Sequence, residues 1–121
     1  MKSSDFRELK VWQKAVDLAI EVYSLTSQLP KEEKFALSDQ MRRAAVSVPS
    51  NIAEGHDRDS SKEFVRFLSM SRGSLRELST QLEISYRLQF IEKTKMIEVN
   101  ERITEIDKMI TSLATKLTTD N

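Results

Sequence analysis

The stretch at residues 96–117, "MIEVNERITEIDKMITSLATKL", has the most regular spacing in the chain. Its apolar residues follow one another at alternating steps of three and four: Met96, Val99, Ile103, Ile106, Ile110, Leu113 and Leu117. Because an α-helix turns once in about 3.6 residues, these side chains share one face. Polar residues such as Glu98 and Lys108 are left toward water. The stretch predicts an amphipathic helix over about residues 93–118 that packs at a shallow angle in a helical bundle.

The composition extends this interpretation to the whole chain. The 121 residues include 2 glycines, 2 prolines and no cysteine, and 39% of them are hydrophobic. Strands need turn-forming residues every few positions, so this composition predicts one all-α domain over residues 1–121. Periodicity predicts three further helices, over about 5–29, 38–54 with a kink at Pro49, and 60–88. The expected fold is an antiparallel up-down-up-down four-helix bundle.

The first predicted helix has two apolar stripes instead of one. The first stripe contains Leu9, Trp12, Val16, Ala19 and Tyr23, and the second contains Val11, Ala15, Leu18, Val22, Leu25 and Leu29. They lie about 100° apart on a helix of 3.6 residues per turn. So wide an apolar surface must cover two neighbours. These are either two helices of the same bundle, or one such helix and another subunit.

Three local signals predict helix ends and a turn. Ser38 is expected to cap the second helix, and Ser60 with Glu63 is expected to form a capping box at the third. Between the first two helices, "PKEEKF" predicts an irregular turn with Phe35 and Leu37 folded inward. The segments that connect the predicted helices are therefore expected to be short.

The segment "SVPSNIAEG" at 47–55 interrupts the helical pattern. Pro49 lacks the N–H that would bond to Ala45, and Gly55 is expected to take the left-handed conformation that closes a helix. Glu54, if it faces inward, needs a basic partner, and the candidates are Arg42, Arg43 or a residue near Gly73 and Ser74. Further along, Gly73 inside the third helix predicts a tight helix crossing. The structural motif therefore comprises Ser47, Pro49, Asn51, Glu54, Gly55, Gly73 and Ser74.

Catalytic and metal chemistry lacks its usual residues in this chain. The one histidine, His56, follows a glycine and is expected at the surface, and no Glu-x-x-His pair or cysteine nucleophile is present. No Gly-rich phosphate loop is present either. The prediction is a protein with no enzymatic activity, catalytic residue, metal, cofactor or small-molecule substrate. No run of about 20 apolar residues and no signal peptide is present, so a cytoplasmic protein with no membrane partner is expected.

Charge is balanced overall, with 19 basic and 19 acidic residues, but arginine is concentrated between residues 42 and 76. The six candidates for nucleic-acid contact are Arg42, Arg43, Arg58, Arg66, Arg72 and Arg76. Together with Lys62 they exceed the four carboxylates of that segment by three charges. The excess has two interpretations: an ordinary ion-paired surface, or a surface that contacts phosphates.

Three stretches together resemble a known family: "FRELKVWQKAVDLAIEVY", "LSDQMRRAAVSVPSNIAEG" and "FVRFLSMSRGSLRELSTQLEIS". They are similar to the small bacterial four-helix bundle proteins of 23S rRNA intervening sequences, which are often labelled ribosomal protein-like. The resemblance implies a homopentamer without established enzymatic activity, and relatives that serve diversity-generating retroelements bind nucleic acid through a basic pentamer surface. The positions it carries over are Arg43, Ser47, Asn51, Glu54, Gly55, Gly73, Ser74, Leu75 and Glu77.

Two functions are therefore predicted as alternatives. In the first, a homo-oligomer, expected to be a pentamer, binds structured RNA or the ribosome through its arginines. A ring would multiply the local charge excess even though the chain is neutral. In the second, the chain is a protein-interaction scaffold that uses the apolar surface of its first helix and binds no nucleic acid.

Overall fold

A computed structural model describes residues 5–119 of the chain. They form four helices, α1 (Lys10–Thr26), α2 (Leu37–His56), α3 (Ser61–Arg87) and α4 (Lys93–Thr119), with no strand in the described range. Short 3₁₀ turns at Phe6–Glu8 and Lys31–Glu33 precede α1 and α2. The predicted all-α four-helix fold is confirmed.

The helices surround one apolar core. Each helix packs against its neighbours in sequence, and α4 also packs against α1. Side-chain pairs between α2 and α3 run in opposite order along the two helices, since Ser71 bonds to Val48 whereas Ser85 reaches back to Met41. The largest fully buried side chains come from all four helices: Leu18, Leu25, Met41, Ile52, Leu68, Leu75, Leu78, Leu82, Ile106 and Ile110.

The seam of α4 lies where its spacing predicts. Its residues from Met96 to Ile110 are buried, and the last two, Leu113 and Leu117, are partly buried against the core. In α1 the stripe that begins at Val11 is buried throughout, whereas Tyr23 in the other stripe is 46% exposed. The bundle of one chain therefore covers only one of the two apolar stripes of α1 completely.

The α2 helix begins earlier than its sequence suggests. Ala36 is the N-cap, with φ −124° and ψ −104°, and the prediction that Ser38 caps this helix is wrong. Ser38 instead lies in the first turn, is 6% exposed, and donates to the Thr26 carbonyl at 3.5 Å. At α3 the Ser60 hydroxyl accepts the Glu63 N–H at 3.1 Å, as predicted. The Glu63 carboxylate pairs with an arginine of α3, so only half of the capping box is formed.

Neither glycine has the role predicted for it, since Gly55 was expected to close α2 and Gly73 to allow a tight helix crossing. Neither has a positive φ, so the left-handed conformation expected of Gly55 is wrong, and α2 includes it. A Cβ on Gly55 would lie 2.7 Å from the Cβ of Phe67 and 2.9 Å from Cδ1 of Phe64. A Cβ on Gly73 would meet nothing within 4 Å. The tight crossing is therefore at Gly55, where α2 meets the start of α3.

The turn between α1 and α2 also differs from the prediction at one side chain. Leu37 packs against the core, but Phe35 is 86% exposed. The surrounding backbone is ordered by hydrogen bonds, including Glu33 N–H to the Pro30 carbonyl at 2.9 Å and Ala36 N–H to the Glu33 carbonyl at 3.0 Å. Phe35 is thus an aromatic side chain presented to water by a hydrogen-bonded turn.

Candidate functional surfaces

The 47–55 segment joins α2 to α3 through small polar side chains. The Ser47 and Ser74 hydroxyls are hydrogen-bonded to each other, and the fully buried Ser71 donates to the Val48 carbonyl at 2.8 Å. The α2 helix continues through Pro49 without interruption. Serines let two helix backbones approach closely and satisfy polar groups in the contact. These residues therefore have a structural role at the α2–α3 contact.

The remaining polar residues of this segment stay on α2. Ser50 donates to the Val46 carbonyl at 2.8 Å, and Asn51 donates to the Ser47 carbonyl at 2.9 Å. Glu54 faces outward and pairs with Arg58 at 3.2 Å, with its side chain 55% exposed. The predicted inward orientation, with Arg42, Arg43 or a residue near Gly73 and Ser74 as the partner, is therefore not the one that Glu54 adopts.

Two of the six candidate arginines pack against α4. Asp107 accepts from Nε of Arg72 at 2.9 Å and from Nη1 of Arg76 at 3.4 Å. Burial would raise the pKa of Asp107, but the hydrogen bonds and charges of Arg72 and Arg76 outweigh it and lower that pKa. These three side chains form an ion cluster between α3 and α4.

Two more arginines meet at the junction of α2 and α3. The guanidinium groups of Arg58 and Arg66 lie 4.9 Å and 4.8 Å from the ring centroid of Phe67. Each is also within 3.2 Å of a carboxylate, Glu54 for Arg58 and Glu63 for Arg66. Their charges are thus largely compensated within the chain.

The last two arginines, both on α2, differ from each other. Arg43 pairs with Asp39 at 2.9 Å on the surface. Arg42 donates to Oγ1 of Thr26 at 2.8 Å and lies 4.6 Å from the Tyr23 ring centroid. No carboxylate of residues 5–119 lies within ion-pair distance of Arg42. The structure therefore separates the six arginines among different contacts, and five of them have acidic partners.

An open apolar groove runs along the outer side of α1 and α2. It has a volume of about 640 Å³, and its largest lining side chains are Trp12, Val16, Ile20, Tyr23, Val46 and Pro49. Among the residues that the structure describes, no charged side chain lines it. Ile20 is 64% exposed and Val46 is 42% exposed, so water covers a substantial apolar area. The groove contains most of the α1 stripe that the bundle leaves incompletely covered.

His56 is buried and not at the surface, so the prediction for it is wrong. It is 2% exposed, with Nδ1 3.2 Å from an Asp57 carboxylate oxygen and its ring edge-on to Phe64 at 5.9 Å. Within residues 5–119 no group of three metal-ligating side chains is present. In the same range, no helix is long and apolar enough to cross a membrane.

Comparison with known proteins gives a family match over most of this fold. A family model described as "23S rRNA-intervening sequence protein" matches residues 7–112. The chain belongs to the 23S rRNA-intervening sequence protein family. This range includes α1, α2, α3 and most of α4, so the family match covers the groove and all six arginines.

A solved structure with the family's fold is similar to this chain. It is a protein of unknown function from the S23 ribosomal protein family of Bacteroides thetaiotaomicron, with a TM-score of 0.80 and 28% identity. The match covers 86% of this chain and 97% of that one. No curated protein matches the chain.

Sequence reasoning missed the α2 side of the groove. Val46 and Pro49 each follow a fully buried residue of α2, Ala45 and Val48, and a single exposed valine in a helix has no distinctive spacing of its own. The signal that was available is the α1 stripe that contains Trp12, Val16 and Tyr23, because two apolar stripes on one helix predict an additional neighbour.

Proposed function

We propose that the chain is a non-catalytic, self-assembling helical bundle, and that a second copy covers the α1–α2 groove. The observation that carries this proposal is the exposure of Ile20, Tyr23 and Val46 around a groove with no charged lining residue. Apolar and aromatic side chains without charges are typical of the buried centre of a protein interface. The chain thus serves as a subunit of an oligomer.

The accessible surface of the chain leaves ample room for such contacts. A stable interface buries about 800 Å² on each partner. The described residues expose 7528 Å², so two neighbours in a ring would cover about a fifth of that surface. The pentamer implied by the family resemblance would give every copy these two neighbours, and we propose that number of subunits.

Ile20→Glu tests this assembly directly. A carboxylate in the centre of an apolar contact must be desolvated without a partner. We therefore expect the dissociation constant of the oligomer to rise at least about tenfold. Ile97→Glu is the matched control, because Ile97 is exposed but lies outside the groove. Sedimentation velocity at micromolar concentration measures the mass. A monomeric native chain, or a native mass for Ile20→Glu, would contradict the proposal.

Binding of structured RNA is a second candidate function, favoured by one observation. The Arg42 guanidinium has no acidic partner in the described range, so a phosphate has less competition there than at the other five arginines. The family's name associates it with rRNA genes. Titration with a structured RNA at about 50 mM and about 200 mM salt is the test, because phosphate contacts strengthen as salt falls. Absence of binding at the lower concentration would refute it.

A further inference from the structure

A second pocket lies beside the turn that connects α1 to α2. Its volume is about 340 Å³, and its polar lining consists of Lys31, Lys34, Arg42, Thr26, Ser27 and Ser38. The other lining residues are Leu29 and Pro30, so no carboxylate from the described part of the chain faces the pocket. The lining therefore carries three positive charges together with three hydroxyl groups.

These three cations lack acidic partners within residues 5–119. Neither Lys31 nor Lys34 has a carboxylate within ion-pair distance, and Arg42 is bound to a hydroxyl, a carbonyl and an aromatic ring. The contact from Arg42 Nε to Thr26 Oγ1, at 2.8 Å, fixes the direction of the guanidinium and leaves N–H donors on both terminal nitrogens. A group of cations held together without carboxylates attracts an anion.

The nearby carboxylates are directed elsewhere or lie outside the pocket. Asp39 pairs with Arg43, and an Oε1 of Glu33 accepts the Leu37 N–H at 3.4 Å. Glu32 is exposed and is not part of the lining. The first turn of α2 adds the partial positive charge of a helix N-terminus through the segment that carries Ser38.

The exposed Phe35 stands next to this pocket. Nζ of Lys34, which lines the pocket, lies 5.4 Å from the Phe35 ring centroid. The ring is 86% exposed and is held by a hydrogen-bonded turn. A ring presented to water beside uncompensated cations has the two elements that single-stranded nucleic acid uses, a stacking surface and a phosphate site.

We propose that this pocket binds the phosphate of a nucleotide and that Phe35 stacks on its base. The shared chemistry is a phosphate, whether free in solution or in the backbone of a single-stranded RNA. Arg42 and the two lysines bind the phosphate oxygens, whereas the hydroxyls of Thr26, Ser27 and Ser38 donate to backbone carbonyls of the chain. The site lies within one chain and does not depend on assembly. It would place the phosphate contact of the RNA-binding candidate at the α1–α2 turn, away from the five ion-paired arginines.

The test compares two double variants with the same change in charge. Lys31→Gln with Lys34→Gln removes two pocket cations, whereas Lys108→Gln with Lys116→Gln removes two exposed cations of α4 that line no part of this pocket. A labelled 12-nucleotide oligo(U) RNA is titrated by fluorescence anisotropy at about 50 mM salt. Inorganic phosphate is titrated by NMR against chloride at equal ionic strength.

We expect the pocket variant to bind oligo(U) at least about tenfold more weakly and to reduce the slope of log K against log salt by about 1.4, as loss of two single-strand phosphate contacts requires. The α4 variant should change the affinity by less than about twofold, since distant surface charges are screened. Phe35→Ala should weaken oligo(U) binding by about fivefold or more through lost stacking and leave inorganic phosphate binding unchanged.

The outcomes separate the two sources of phosphate. Suppose that the native chain binds inorganic phosphate but no oligo(U), and that the pocket variant loses the phosphate binding. This result would uphold the pocket as a phosphate site for a small ligand and overturn the role of Phe35. Equal losses in the two lysine variants would overturn the site, because they would reflect overall charge. Repeating the titrations with Ile20→Glu separates this site from assembly: if that variant remains native in mass, assembly through the groove fails while the pocket is still tested.

Discussion

Replacement of Gly55 by alanine is expected to destabilise the bundle although alanine favours helices. The new methyl group would lie 2.7 Å from the Cβ of Phe67 and 3.2 Å from the Phe64 carbonyl oxygen. Neither a Cβ nor a backbone carbonyl oxygen can move away through rotation of a side chain, so α2 and α3 must move apart. Overpacking costs about 1–3 kcal/mol, and the gain in helix propensity returns about 1 kcal/mol. The difference between the two is a net loss of up to about 2 kcal/mol in the free energy of unfolding.

Gly73→Ala is the matched control within the same chain. Its methyl group meets open space, so only the propensity gain of about 1 kcal/mol remains and the variant should be more stable. Thermal denaturation at one protein concentration compares the two variants, and about 4 °C corresponds to 1 kcal/mol for a domain of this size. If Gly55→Ala proves as stable as Gly73→Ala, the explanation of Gly55 by close packing is refuted.

Two further predictions concern the α3 contacts. Because the folded pKa of Asp107 lies below its unfolded value, its contribution is present above that unfolded value of about 3.9 and is lost as the pH falls through the folded pKa. As the pH falls below about 4, the Asp107→Asn variant should therefore lose less unfolding free energy than the native chain does. Urea denaturation at several pH values measures this, and a pH profile equal to that of the native chain would contradict it. Ser71→Ala removes the donor to the Val48 carbonyl and should cost about 1 kcal/mol in the same assay. Ser69→Ala, at an exposed position of α3, should cost almost nothing, and equal losses would count against the buried hydrogen bond.

The core of this fold could be predicted because burial and helical periodicity coincide. In α4 every position from Met96 to Ile110 on the predicted seam is buried, since no other arrangement covers that stripe. Ser38 shows where such reasoning stops. A serine favours an N-cap, but the backbone turns at Ala36 and the Ser38 hydroxyl reaches the Thr26 carbonyl from inside the helix.

The surfaces were less predictable because their partners are distant in sequence. Asp107 compensates Arg72 and Arg76 from another helix, which a local count of charges does not include. Phe35 lies in a turn, where no period indicates whether a side chain faces the core. The groove was partly predictable, because the α1 stripe that contains Trp12 and Tyr23 indicated an uncovered face, although Val46 did not.

The ion cluster between α1 and α4 has a consequence for the order of folding. Glu21, with its side chain 13% exposed, contacts Arg102 at 3.2 Å and Lys95 at 3.7 Å. Within residues 5–119, all other helix contacts join elements that follow one another in the chain, or join a helix to one of the short 3₁₀ turns. This contact instead closes a loop that includes α2 and α3. Loop closure costs more entropy as the loop lengthens, so we expect the α2–α3 hairpin to form early and α1 to dock on α4 last. Substitutions at Glu21 should then accelerate unfolding and leave the refolding rate nearly unchanged.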